Sequence, residues 1–154
     1  MTINSEIDCD SLGSTPSGDR TSTHWIQICL YTIAIIFNLC LIAQLLTVGV
    51  AYFHNPAWWN VHIWLVRGYS GLSLILLGGA LLVPFSDRIR SLIASLPMLL
   101  GLQFCSIHLH TPLHLEVLHP LIGFTLLYVS SSLVHRLSRE LFNKSDQAGA
   151  VTES

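Results

Sequence analysis

Residues 26–51 read IQICLYTIAIIFNLCLIAQLLTVGVA, and the reading of this run decides the fold. It passes without one Asp, Glu, Lys or Arg. About 20 apolar residues in a helix cross the ~30 Å hydrocarbon layer of a bilayer, so the run predicts a membrane helix. Three further predominantly apolar runs lie at 61–83, 89–107 and 117–134. The third of the four runs is the shortest and carries Pro97, where a kink is expected; neighbouring helices can satisfy the carbonyl that the proline frees. The links 52–60, 84–88 and 108–116 are short, which makes consecutive helices antiparallel neighbours. The expected fold is all-α, a four-transmembrane-helix bundle.

Composition agrees. Of 154 residues, 51% are hydrophobic and 10% charged, against roughly 25% charged in soluble domains. The net charge of −2 is small and no basic stripe occurs, so nucleic acid is not an expected partner. Cys9, Cys29, Cys40 and Cys105 form no CxxC pair, so neither a disulfide framework nor a thiolate metal site is expected. Residues 1–24 are polar and lack the basic start and apolar core of a secretory signal; they read as a disordered tail. The membrane domain then spans 25–136, and 137–154 form a second polar tail. Arg20, Arg88, Arg90, Arg136, Arg139 and Lys144 all fall on the side of the two tails and the 84–88 link, while the opposite loops hold no Lys or Arg. The positive-inside rule then places both termini in the cytoplasm, in a bacterial inner (plasma) or thylakoid membrane.

Six of the eight histidines (His54, His62, His108, His110, His114 and His119) gather at the other end, with Tyr52, Phe53, Trp58, Trp59 and Trp64 forming an interfacial aromatic belt. A weak internal repeat links two of them. Gln44 precedes His62 by 18 residues, and Gln103 precedes His119 by 16. Each Gln lies near the end of an outgoing helix and each His near the start of a returning one. Two pseudo-repeated hairpins would put His62 and His119 on diagonal helices at similar depth. Such a pair supplies the two axial ligands that a haem iron needs in a bundle core, and Gly68, Gly71 and Gly123 nearby leave room for a flat ring. The plainer alternative is that each His bonds to a loop carbonyl or water. Gln44 and Gln103 either orient the ligating rings or fix packing by interhelical hydrogen bonds.

Arg67 lies five residues deeper than His62. A guanidinium there needs an anion or a water path; candidates are Glu116, a haem propionate, a lipid phosphate reached by snorkelling or an anionic substrate. The run 108–114, HLHTPLH, offers His108, His110 and His114 as ligands for Zn²⁺ or Cu²⁺, with a wet polar loop as the plainer reading. No acidic residue sits mid-membrane in the first run, no Ser/His/Asp or Cys/His nucleophile set occurs and no glycine-rich phosphate loop is present. A proton-coupled cation exporter, a hydrolase and a nucleotide enzyme are thereby disfavoured.

The segments CLIAQLLTVG, WWNVHIWLVRGYSGLSLILL, LLGLQF and VLHPLIGFTLLY resemble an uncharacterised, domain-of-unknown-function family of short four-helix bacterial, and in particular cyanobacterial, membrane proteins. The resemblance covers most of residues 39–128 and implies no established activity. A more distant architectural likeness is to one half of haem A synthase, also a four-helix bundle with haem-ligating histidines on its second and fourth helices; His62 and His119 match that placement. That likeness favours an Arg directly after the histidine, where this chain has Ile63 and holds its Arg at position 67. The synthase's second, catalytic half has no counterpart here, so the likeness implies haem binding or electron transfer rather than haem synthesis. The leading expectation is a b-type haem protein with His62 and His119 as ligands, Gln44 and Gln103 behind them, and Arg67 on a propionate or quinone. The rivals are an accessory subunit of a larger membrane complex without a cofactor, and metal binding by the outer histidine loop.

Overall fold

The computed structural model describes residues 18–108 and 115–152, with the side chains of 24–108 and 117–142. It contains α1 (Gly18–Phe53), α2 (Trp58–Leu82), α3 (Asp87–His108), a 3-10 turn (Leu115–Leu118) and α4 (His119–Thr152). No strand occurs among the described residues. Each helix packs against its two neighbours in the ring α1–α2–α3–α4, and among the described residues the diagonal pairs α1/α3 and α2/α4 do not pack on each other. The fold is the expected all-α four-helix bundle.

The helices are longer than their apolar runs. α1 begins at Gly18, inside the stretch read as a tail, and α4 continues through the polar end of the chain to Thr152. Hydropathy marks where a helix meets lipid but says nothing of where its backbone hydrogen bonds stop. Residues 139–152 hold Glu, Leu, Lys, Gln and Ala with no proline, and such residues sustain a helix in water. α3 runs unbroken through Pro97.

Among the described residues, three of the four helices are long and apolar enough to cross a membrane by length and composition: His24–Phe53, Trp58–Leu82 and Asp87–His108. α4 begins with His119 and Pro120, carries Ser130, Ser131 and Ser132 at its middle, and meets His135 and Arg136 soon after. These polar groups dilute its hydropathy. Some of them face inward: Asn38 of α1 donates its Nδ2–H groups to Ser130 Oγ at 3.2 Å and Ser131 Oγ at 2.9 Å. Pairing of this kind offsets the cost of polar groups inside an apolar bundle.

The core follows a heptad seam. Gln27, Leu30, Ala34, Phe37, Leu41 and Gln44 of α1 are buried at alternating steps of three and four. Tyr69, Ser73, Leu76 and Ala80 of α2, and Ile89, Ile93, Leu96 and Leu100 of α3, repeat the rhythm. A 3.5-residue period keeps one stripe of each helix facing its neighbours. Phe37 and Tyr69 meet edge to face with centroids 5.4 Å apart. Gly79 lets α2 lie close on α1, because a methyl group there would collide with the buried Leu30 side chain. Outward-facing Leu39, Leu46, Leu74, Leu81, Met98 and Leu121 are all more than half exposed. Large apolar side chains on the outside and a mixed seam within suit a lipid solvent.

Candidate functional site

At the histidine end the seam turns polar without losing its period. Gln44 lies three residues after Leu41, and Gln103 three after Leu100; His62 lies seven before Tyr69, and His119 seven before Leu126. Helix geometry therefore turns all four side chains inward. They line one cavity of about 880 Å³, together with Arg67 and His108. The five residues singled out for a cofactor, Gln44, His62, Arg67, Gln103 and His119, are thus brought to one wall.

The first hairpin makes a closed set of bonds. Gln44 Nε2 lies 2.9 Å from His62 Nε2 and donates its other hydrogen to the His62 carbonyl at 3.1 Å. Thr47 Oγ1 donates to the Gln44 carbonyl at 2.7 Å and lies 3.4 Å from His62 Nδ1. The second hairpin repeats the arrangement. Gln103 Nε2 lies 3.0 Å from His119 Nε2, while Ser106 Oγ donates to the Gln103 carbonyl at 2.8 Å and lies 3.2 Å from His119 Nδ1.

One arrangement of protons fits these distances with each hydroxyl donating to its carbonyl. Each hydroxyl has committed its one hydrogen to a main-chain carbonyl, so towards the imidazole it offers only a lone pair. His62 Nδ1–H then donates to Thr47, and His119 Nδ1–H to Ser106. In the neutral tautomer that fits these contacts, Nε2 carries a lone pair that accepts an amide N–H from glutamine. With that tautomer, turning either amide would set its oxygen against an Nε2 lone pair. Gln44 Oε1 and Gln103 Oε1 are left buried with no donor among the described residues. An unsatisfied buried acceptor costs about 1–3 kcal/mol.

Thr47 and Ser106 escape a reading for histidine and glutamine alone. Their signal is present in the chain: QLLT at 44–47 and QFCS at 103–106 set a hydroxyl three residues after each glutamine. The repeat is therefore three residues deep, Gln, Thr or Ser, then His.

Arg67 is exposed at the cavity wall, with its guanidinium carbon 5.8 Å from the centre of the Trp64 ring. No ion pair reaches it among the described residues, and the side chain of Glu116 lies outside them. Trp59 packs edge to face on His62, with centroids 5.5 Å apart. His54 stands exposed in the turn after α1. Of the outer loop, His108 ends α3 and bonds through Nδ1 to the Phe104 carbonyl at 2.9 Å, while His110 and His114 lie outside the described residues. Among the described residues no three His, Cys, Asp or Glu side chains gather as a metal site.

Residues 44–109 match the model of a family of unknown function, DUF6220. No curated protein and no solved structure matches the chain. The match to DUF6220 is in line with the resemblance to an uncharacterised family, over less than half of the chain. It begins at Gln44 and takes in Thr47, His62, Arg67, Gln103 and Ser106. It ends before His119, so the second histidine of the repeat lies beyond the part similar to that family.

Proposed function

We propose that this chain is an integral membrane protein that binds b-type haem between α2 and α4 for electron transfer, with His62 and His119 as axial ligands. The observation that carries the reading is the matched pair of imidazoles on one cavity, each with a hydroxyl at its Nδ1. Metal-ligating histidines commonly donate their second ring nitrogen to an acceptor, which fixes the tautomer and raises basicity. Thr47 and Ser106 do this for His62 and His119.

The residues fit the group. Neutral imidazole is a good ligand for iron. The cavity lies in the range of about 300–1,000 Å³ usual for cofactors. Among the described residues only the side-chain amides of Gln44 and Gln103 lie at hydrogen-bond distance from the two Nε2 atoms, and a side-chain amide is a displaceable partner. Arg67, exposed on the wall and without an ion pair among the described residues, suits a haem propionate or a quinone oxygen. When bound, haem supplies reversible one-electron transfer, with a potential set by its ligands, their hydrogen bonds and burial. The architectural likeness to half of haem A synthase points the same way. In this reading α4 also crosses the membrane, its serines turned to α1. Both termini are cytoplasmic, because Arg88, Arg90, Arg136 and Arg139 stand at the end away from the histidines. The membrane is a bacterial plasma or thylakoid membrane.

The test is haem content after replacing each ligand. His62→Ala and His119→Ala should each reduce haem per chain from near-stoichiometric to a trace, measured as pyridine haemochrome on folded, purified protein. Full haem retention in both variants overturns the reading.

A second reading draws on a different side of the same observation. Each imidazole already has both nitrogens hydrogen-bonded within its own hairpin. The two Gln–His pairs are then clamps in an accessory subunit that carries no cofactor and packs against a larger complex through its apolar outer faces. It predicts colourless wild-type protein, lower thermal stability in the histidine variants and a stoichiometric membrane partner on purification.

A further inference from the structure

The end of the bundle away from the histidines holds a separate depression. Where α3 begins, α3 and α4 leave an open groove of about 390 Å³, lined by Asp87, Arg88, Ser91 and Leu92 of α3 and Arg136 of α4. Both arginines are exposed, and neither has an ion pair among the described residues. Arg90 and Arg139 are exposed at the same end but do not line the groove. Orientation in a membrane accounts for four arginines at one end; it does not account for two of them, from different helices, sharing one groove. The groove also continues into an apolar track. Steps of four and three from Arg88 reach Leu92, Ser95, Leu99 and Leu102, which a helix sets on one face. Leu92, Ser95 and Leu99 are half-buried, and Leu102 is more than half exposed. Ser95 turns its hydroxyl hydrogen back to the Leu92 carbonyl at 2.7 Å, so it adds little polarity to the track.

We propose that this groove holds an anionic phospholipid of the phosphatidylglycerol type, with its phosphodiester between Arg88 and Arg136 and an acyl chain along the face from Leu92 to Leu102. Guanidinium groups pair with phosphate oxygens through parallel charge-assisted hydrogen bonds, and basic pockets between membrane helices hold such headgroups. Two guanidiniums and one carboxylate leave the groove one positive charge, which matches the single negative charge of a phosphodiester. Inorganic phosphate brings more charge against Asp87 and has no apolar part to use the track. A glycerol headgroup also supplies hydroxyls that donate to the Asp87 carboxylate. The bound lipid ties α3 to α4, the helix that is the less apolar of the two. The proposal stands on the arginine end of the bundle and not on the haem reading, which uses the histidine end.

The experiment uses the full chain in detergent and native mass spectrometry, which counts lipids bound per chain. Phosphatidylglycerol, phosphatidylethanolamine and phosphatidylcholine with the same dioleoyl chains are titrated separately. The first phosphatidylglycerol is expected to bind at least about fivefold tighter than either other lipid, and Arg88→Gln and Arg136→Gln should each remove most of that margin, since one arginine at an anionic headgroup contributes about that factor. Arg90→Gln and Arg139→Gln remove the same charge at the same end but outside the groove. They should change the affinity less than about twofold, because salt screens charges that do not touch the lipid. Equal losses in all four variants mean a diffuse basic surface and overturn the proposal. Equal affinity for the three lipids overturns it too, and that wild-type comparison stands even if a variant fails to fold. Displacement of phosphatidylglycerol by excess inorganic phosphate would mean a site for a free anion and would also overturn it. None of these outcomes depends on whether the protein retains haem, so the two readings fail separately.

Discussion

The two hairpins build the same device with different tightness. In the first, Gln44 bonds both to the His62 ring and to the His62 carbonyl. In the second, Gln103 bonds to the His119 ring alone. The first also has Gly79 seated against Leu30, whereas an added methyl at Gly123 would only touch Gln103 Nε2 at 3.4 Å. His62 sits in the second turn of α2, with Trp59 against its ring; His119 is the first residue of α4, directly after a 3-10 turn. The difference teaches that the first imidazole is the more firmly held and the second is the one able to adjust. A cavity that takes a ligand between two rings needs only one of them to move.

That contrast is open to being broken, and the largest effect is expected at the helix crossing. Gly79→Val forces a side chain into the packed Leu30 contact and should destabilise the folded protein by about 1–3 kcal/mol, the usual range for overpacking. Gly123→Ala should fall well below that. Denaturant titration in detergent compares them, and equal losses would remove the asymmetry. Next come the amides. Gln44→Leu removes two interhelical hydrogen bonds and Gln103→Leu one, each worth about 0.6 kcal/mol in membrane bundles. Gln44→Leu should therefore be the more damaging of the pair in the same titration. The smallest effect on stability, and the sharpest on chemistry, is at the hydroxyls. Ser106→Ala and Thr47→Val leave Nδ1–H without its acceptor, so each should raise the Nε2–H form of its own histidine in ¹⁵N spectra of histidine-labelled protein. Ser106 lies closer to its ring than Thr47 does, so the His119 change should be the larger. A wild-type spectrum with protons on Nε2 would contradict the assignment for both hairpins.

Much of this was legible in the chain. Uncharged runs such as 26–51 mark membrane helices by length alone, and the short links read at 52–60 and 84–88 leave little choice of topology. The Gln–His spacing located the site, because a glutamine and a histidine at the meeting ends of antiparallel helices face each other. What stayed hidden has physical causes. Hydropathy does not show that Asn38 of α1 pairs with Ser130 and Ser131 of α4, ninety-two and ninety-three positions away. Thr47 and Ser106 act through carbonyls three residues back, a contact that adds no pattern to hydropathy. The polar helix ends at 18–25 and 137–152 depend on backbone propensity, which lipid-based signals do not report. The unpaired Gln oxygens appear only once every neighbouring donor has been assigned.

The most direct test of the central claim is an absorption spectrum of the detergent-purified wild-type chain, oxidised and then reduced with dithionite, with haem added to any folded protein that lacks it. Two imidazoles on one cavity predict near-stoichiometric haem and a sharpened α-band on reduction. Folded protein that stays colourless after haem is added would contradict the account and leave the Gln–His pairs as clamps between helices.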